Sequence, residues 1–162
     1  WRLDQERMAA ACAVGKLLYC WAHGNRAALL YCSRDIGGPR TSAGDWGYVD
    51  HFMCPRFTYG AVAAFVEAFA GARFDATLSE ANGFYAHRFR RAGDLLVAFH
   101  VSQDYTRAQA IETDAAAAEL VDPMGNRSAV EVTGGRVRVT AGLYPQVLVL
   151  HSAGRAELVG AQ

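Results

Sequence analysis

Hydrophobic positions change their spacing near residue 72, and the change divides the chain into two kinds of structure. In the first part Met8, Cys12, Gly15, Tyr19 and Ala22 recur at intervals of three and four, the spacing of one helix face. They predict a helix over residues 4–22, with Asp4 as N-cap and Gly24 in the left-handed position that follows a helix end. Residues 27–32, Ala-Ala-Leu-Leu-Tyr-Cys, are a continuous apolar run, as expected of a strand covered on both faces in a parallel sheet. Residues 33–39 end it in a loop. Pro55, with Val62, Phe65, Val66 and Phe69 on one face, predicts a second helix that Gly71 closes. A single strand between two helices leaves backbone groups without partners, so it needs strands from elsewhere.

From Arg73 onward the spacing becomes two, or collapses into short apolar runs. Strands are predicted at 73–78, 83–89, 95–101, 107–111, 117–121, 137–141 and 146–151, with a weaker one at 129–132. Arg91-Ala92-Gly93-Asp94 and Thr133-Gly134-Gly135-Arg136 read as hairpin turns, and Asp122-Pro123-Met124-Gly125-Asn126 as a turn with Pro and Gly at the positions that want them. Seven or eight strands so spaced point to an antiparallel β-sandwich. Residues 152–162 carry little pattern and read as a tail. The expected fold class is therefore α/β followed by all-β.

Composition narrows the chemistry. The chain has 162 residues, 52% of them hydrophobic, and a formal net charge of zero. Such a chain can bury a core and has no global field for nucleic acid or an anionic membrane. Of the basic residues only Lys16 is lysine; the rest are arginine. No apolar run reaches the roughly 20 residues that span a bilayer, and no signal peptide is visible. The chain begins with Trp1 rather than Met, so its native start is expected upstream, and localisation stays open. Cys12, Cys20, Cys32 and Cys54 fit no zinc spacing and are expected as reduced thiols in small core positions. His23, His51, His87, His100 and His151 include no i, i+4 pair, so no metal site is expected. Gly37-Gly38 is too short for a phosphate loop, and no cofactor is expected.

The order of these elements resembles the C-terminal end of retaining glycoside hydrolases, the β-xylosidase-like family 39 and its relatives, in which a (β/α)8 barrel carries an appended β-sandwich. Residues 4–22 match the family's helix seven and 27–33 its strand eight. Trp46-Gly47-Tyr48-Val49-Asp50 resembles the approach to helix eight. Cys54-Pro55-Arg56-Phe57 stands where the family shows Lys-Pro-x-Tyr, and Asp122–Asn126 resembles its Asp-x-x-Gly-Asn turn. Residues 137–150 resemble the strand pair that closes the sandwich. Cys54 in place of the lysine, and Tyr31-Cys32 where an aromatic pair with Trp is common, depart from the pattern. The resemblance implies residues 1–72 as the C-terminal portion of a barrel, 73–151 as an accessory sandwich and 152–162 as a tail. It also implies a carbohydrate ligand and, as partner, the N-terminal remainder of the barrel, with no nucleic acid or membrane involved.

Retaining hydrolysis uses two carboxyl groups about 5–5.5 Å apart. By the resemblance both glutamates, after strands four and seven, precede Trp1, so no catalytic residue is assigned here and the chain alone is expected to be inactive. The barrel-mouth position instead makes Tyr31, Arg34, Asp35 and Trp46 the candidate sugar-binding residues. Each has a plainer alternative: interior packing for Tyr31, a surface ion pair for Arg34, a turn or salt bridge for Asp35, and packing over the barrel end for Trp46. A second reading of the whole chain is a non-catalytic carbohydrate-binding or structural module, with Trp46, Tyr85 or Tyr105 as platforms.

Overall fold

The computed structural model describes residues 3–25, 27–28, 48–50, 52–102 and 105–160. Among the described residues two helices, α1 (Leu3–Ala22) and α2 (Phe57–Ala68), precede nine strands. These are β1 (Arg73–Ala81), β2 (Phe84–Arg91), β3 (Asp94–Val101), β4 (Arg107–Thr113), β5 (Ala117–Val121), β6 (Arg127–Val130), β7 (Arg136–Ala141), β8 (Gln146–His151) and β9 (Ala156–Leu158). They form a six-stranded sheet ordered β1-β2-β3-β8-β5-β6 and a three-stranded sheet ordered β7-β4-β9. Every strand pairing within them is antiparallel.

The architecture is three-layered. One core lies between the sheets and is filled by Phe84, Leu95, Val97, Phe99, Ile111, Val137, Leu148 and Leu150. A second lies on the other face of the larger sheet, where Ala10, Val14, Leu18, Ala61, Ala68 and Phe69 of the helical segment meet Phe89, Leu96, Ala98, Val147 and Val149. The central strands β3 and β8 are thus covered on both faces, which explains why Leu95–Phe99 and Val147–Leu150 are unbroken apolar runs rather than alternating ones. Each large side chain fully buried here contributes roughly 1.5–3 kcal/mol.

Local chemistry sets the joints. Helix α1 ends in a Schellman arrangement: Asn25 N–H donates to the Cys20 carbonyl and Gly24 N–H to that of Trp21, with Gly24 at φ 75°. Asp4 falls within the first turn of α1 rather than at its cap, because the helix begins at Leu3. In the turn after β5, Asp122 Oδ1 accepts from the backbone N–H groups of Met124 and Asn126. The turn docks on α2 so closely that a Cβ on Gly125 would lie 3.2 Å from the Ala64 methyl. Strand β1 carries two bulges, at Asp75 and Leu78. The first aims Asp75 at both Arg88 and Arg90, and the second interrupts the alternation that would have extended the predicted strand to Ala81.

Three further expectations are corrected. The α1 face on the sheet is Ala10, Val14 and Leu18, not the Met8–Cys12–Tyr19 stripe; Met8 and Tyr19 are 44% and 48% exposed. The helix is apolar on most of its surface, so spacing alone does not select the packed face. Cys12 and Cys54 are free but exposed, and Cys20 is half-buried, so these thiols do not fill the core. Within the expected tail, Ala156–Leu158 pairs with β4 and Ala156 is fully buried. The strand expected at 27–33 lies, from Leu29 on, outside the described residues.

The β2–β3 turn holds Ala92 at φ 43° beside Gly93 at φ 97°, a conformation that penalises an L-residue with a Cβ. Ala92→Asn is expected to stabilise the protein by about 1 kcal/mol, since Asn-Gly is the preferred pair for such turns. Thermal melting checks this, with a rise of about 2–4 °C expected.

Candidate functional site

Tyr31, Arg34, Asp35 and Trp46 all lie outside the described residues. Among the described residues, polar and aromatic side chains gather in a groove between α1 and the end of the larger sheet formed by β1, β2 and β3. Alternation along β2 sends Tyr85, His87 and Phe89 toward the helices, and the register sets Tyr85 directly opposite His100 on β3 and His87 opposite Ala98. Phe89 is sealed beneath the helices, whereas Tyr85, His87 and His100 line a cavity of about 340 Å³ whose far wall includes Gly15, Lys16 and Tyr19 of α1.

The rings are ordered by their neighbours. Tyr85 and His100 stack with centroids 5.1 Å apart and planes 14° from parallel. His87 is 1% exposed, with Nδ1 3.3 Å from Thr77 Oγ1. Glu80 Oε1 lies 2.8 Å from His23 Nε2 and 3.7 Å from His87 Nε2. Burial lowers the pKa of His87, and the nearby His23 adds to this, while the Glu80 carboxylate opposes both. Burial, with the His87 ring beside it, brings His100 down to about 4. Both imidazoles are therefore neutral at pH 7, each with one N–H donor and one lone pair. His87 Nε2 and His100 Nδ1 are buried without a hydrogen-bond partner. No group of three or more His, Cys, Asp or Glu among the described residues could hold a metal ion.

The sequence alone missed this cluster. Alternation already placed Tyr85 and His87 on one face, but His100 joins them only through the β2–β3 register, and α1 was expected to present a different face to the sheet. Tyr105, the other candidate platform, donates its hydroxyl hydrogen to the Asn82 carbonyl at 2.9 Å.

Several described carboxylates are engaged structurally. Burial pushes the Asp75 carboxyl up, but hydrogen bonds and charge from Arg90 and Arg88 outweigh it and hold the group below its ordinary range. Glu112 binds Arg136 at 2.7 Å, Glu119 binds Arg127 at 3.1 Å and Glu6 binds Arg56 at 3.0 Å. Asp114 accepts from the backbone N–H groups of Gly154 and Arg155, and the Arg155 bond leads the lowering of its pKa.

A second groove follows the outer face of α2, where Tyr59, Val62, Ala63 and Val66 face Tyr48, Val49 and Met53 around about 850 Å³. Val66 is 61% exposed. Among the described residues, helix α2 is thus apolar on two sides, one packed on the sheet and one uncovered.

The sequence matches no protein-family model and no curated protein. Solved structures do share the fold. A family 39 glycoside hydrolase from the gut symbiont Bacteroides cellulosilyticus superposes with a TM-score of 0.70 at 18% identity, covering 87% of this chain and 30% of that one. A family 30 subfamily 8 xylanase from Clostridium acetobutylicum gives 0.60 at 12% identity, covering 93% of this chain and 39% of the xylanase. A family 30 endoxylanase from Clostridium papyrosolvens gives 0.53 at 11%, covering 62% and 29%. The chain therefore spans well under half of each of these enzymes, and over that span it has the fold found in glycoside hydrolases of families 39 and 30.

Proposed function

We propose that this chain is the C-terminal portion of a glycoside hydrolase acting on β-linked glycosides. In this reading residues 1–72 supply the last helix, strand and helix of a (β/α)8 barrel, and 73–151 form its accessory sandwich. The observation that carries the reading is the double-sided helix α2. A helix apolar on two faces belongs between two layers, and a barrel's outer helix that also carries a sandwich occupies such a place. The inner face of α2 meets the sheet through Ala61 and Ala68, with Phe69 just beyond its end, and the outer groove around Val62 and Val66 would receive the rest of the barrel. The fold likeness to family 39 and 30 enzymes supports the same assignment.

Tyr31, Arg34, Asp35 and Trp46 then line one wall of the sugar site at the mouth of the last barrel strand, where barrel enzymes place their chemistry. Trp46 offers a flat ring to the apolar face of a pyranose, and Arg34 and Asp35 offer hydrogen bonds to its hydroxyls. The acid/base and nucleophilic glutamates belong to the preceding part of the barrel. The purified chain is therefore expected to release no chromophore from nitrophenyl β-xyloside or β-glucoside. Sustained turnover by the chain alone would overturn the assignment of catalysis to the missing portion.

A further inference from the structure

The groove between α1 and the larger sheet lies in the described part of the chain and has no role in the sugar wall proposed above. Its volume, about 340 Å³, falls at the lower end of small-ligand pockets. Most of its lining is apolar or aromatic, with Tyr19 on the helix side and Tyr85 on the sheet side. Tyr19 is 48% exposed, and an exposed aromatic beside an apolar groove is a surface that a flat apolar ligand would cover. His87 Nε2 and His100 Nδ1 are buried atoms, so a ligand in the groove meets neither.

Charge selects the ligand class. Lys16 is the chain's only lysine, and it stands on the groove wall in α1. Among the described residues it has no ion pair. The positions one turn away along α1 are Cys12, Ala13, Tyr19 and Cys20, none of them an acid that could pair with it. The groove lining likewise holds no aspartate or glutamate. Glu80 lies outside that lining and is bound to His23 at 2.8 Å. By contrast Arg88, Arg90, Arg127 and Arg136 on the sheets are all paired with carboxylates.

Lys16 is exposed while it also lines the groove. Lysine does both by running its apolar stem along a wall and leaving its ammonium in water. One uncompensated positive charge thus borders an apolar, aromatic surface. A ligand with a flat apolar body and one negative charge matches both features. A cation would be repelled by Lys16, and an uncharged ring would leave that charge without a partner.

We propose that this groove binds a small aromatic monocarboxylate, its ring against Tyr19 and Tyr85 and its carboxylate at the Lys16 ammonium. The site does not rest on the glycosidase reading, because its readout is binding by this chain and not turnover.

The test is an NMR titration of the full chain carrying isotope-labelled lysine, in which Lys16 gives the single lysine side-chain signal. The probes are naphthoate, its uncharged isostere naphthamide and the cation naphthylmethylammonium. A saturable shift of the Lys16 signal with naphthoate is expected, with naphthamide bound roughly three- to fivefold more weakly, the worth of one exposed charge pair, and the cation more weakly still. Lys16→Met keeps an unbranched apolar side chain at this exposed position, and it is expected to reduce naphthoate to the affinity of naphthamide. Cys12 lines the groove and Cys54 does not, though both are exposed. Saturating naphthoate is therefore expected to slow alkylation of Cys12 by iodoacetamide relative to Cys54, read by peptide mass spectrometry. No saturable shift, equal affinity for carboxylate and amide, unchanged naphthoate binding in Lys16→Met, or Cys12 left unprotected would each overturn the proposal.

Discussion

Phe89→Ala is expected to lower the stability of the protein by about 3–5 kcal/mol, the range for deleting a buried aromatic side chain. Phe89 is fully buried on β2, where both helices pack over the β1–β2 end of the larger sheet. Its ring lies 5.1 Å from that of Trp21 at the end of α1, 4.8 Å from Phe69 just after α2, and 5.7 Å from Phe74 on β1. The Phe69 and Phe74 pairs are edge-to-face, at 78° and 77°. That geometry contributes beyond area burial, about 0.5–1.5 kcal/mol per pair. Leu96 pairs with Phe89 across the ladder and belongs to the same core, so the cavity left by the truncated side chain has little freedom to collapse. Since domains of this kind are stable by only about 5–15 kcal/mol, the loss would be a large share of the total. Denaturant unfolding followed by circular dichroism checks it: the midpoint falls, while the slope stays unchanged if the cooperative unit still includes both helices and the sheet. A loss below about 1 kcal/mol would contradict the placement of Phe89 at this junction.

Acid is expected to destabilise the fold well before the carboxylates titrate. In the unfolded chain His100 takes up a proton near its ordinary value of about 6.5, whereas in the folded protein it resists protonation down to about 4. Between those values the unfolded state binds more protons, so the free energy of unfolding falls as pH falls. The contribution is fully present above about pH 6.5 and is lost progressively toward pH 4. It is worth on the order of 2–3 kcal/mol, from 1.36 kcal/mol per pKa unit reduced for water at the cavity mouth. His87, also lowered by burial, acts in the same direction. Asp75 and Asp114 are lowered as well, but their losses fall at more acidic pH, below the ordinary carboxylate range. His100→Gln keeps a polar side chain without the titration. It is expected to flatten stability between pH 7 and 4 by most of that amount, measured as denaturant midpoints across pH. An unchanged slope in the variant would show that His100 is protonated as readily in the folded state as in the unfolded one.

The β region was largely legible in the sequence because its signals are local. Gly93, Gly125 and the Gly134-Gly135 pair marked turns, and apolar runs at 95–101 and 146–151 marked strands that prove to be central in the larger sheet. What those runs did not reveal was the identity of the second layer. An apolar run says that both faces are covered, and here one cover is the other sheet and the other is a pair of helices. Strand β9 was illegible for a different reason: three residues are too few for a period, and Ala156 is fixed by pairing to β4, far earlier in the chain. The face of α1 was misread because Ala-rich sequence lets several stripes look equally apolar. Even so, Cys12, Gly15 and Tyr19 of the expected stripe do face something, the groove over His87 and His100. The histidine cluster depends on strand register, which composition and spacing do not encode. Tyr31, Arg34, Asp35 and Trp46 as sugar contacts follow from the family resemblance and the barrel-mouth rule.

The central claim is that this sequence completes a barrel begun elsewhere, and the most direct test is to sequence the genomic DNA upstream of the Trp1 codon. The account predicts an in-frame open sequence of roughly 250 residues or more, the size of a whole (β/α)8 barrel, with a glutamate at the end of its fourth strand and another at its seventh. A stop codon and a start site immediately before Trp1 would contradict it.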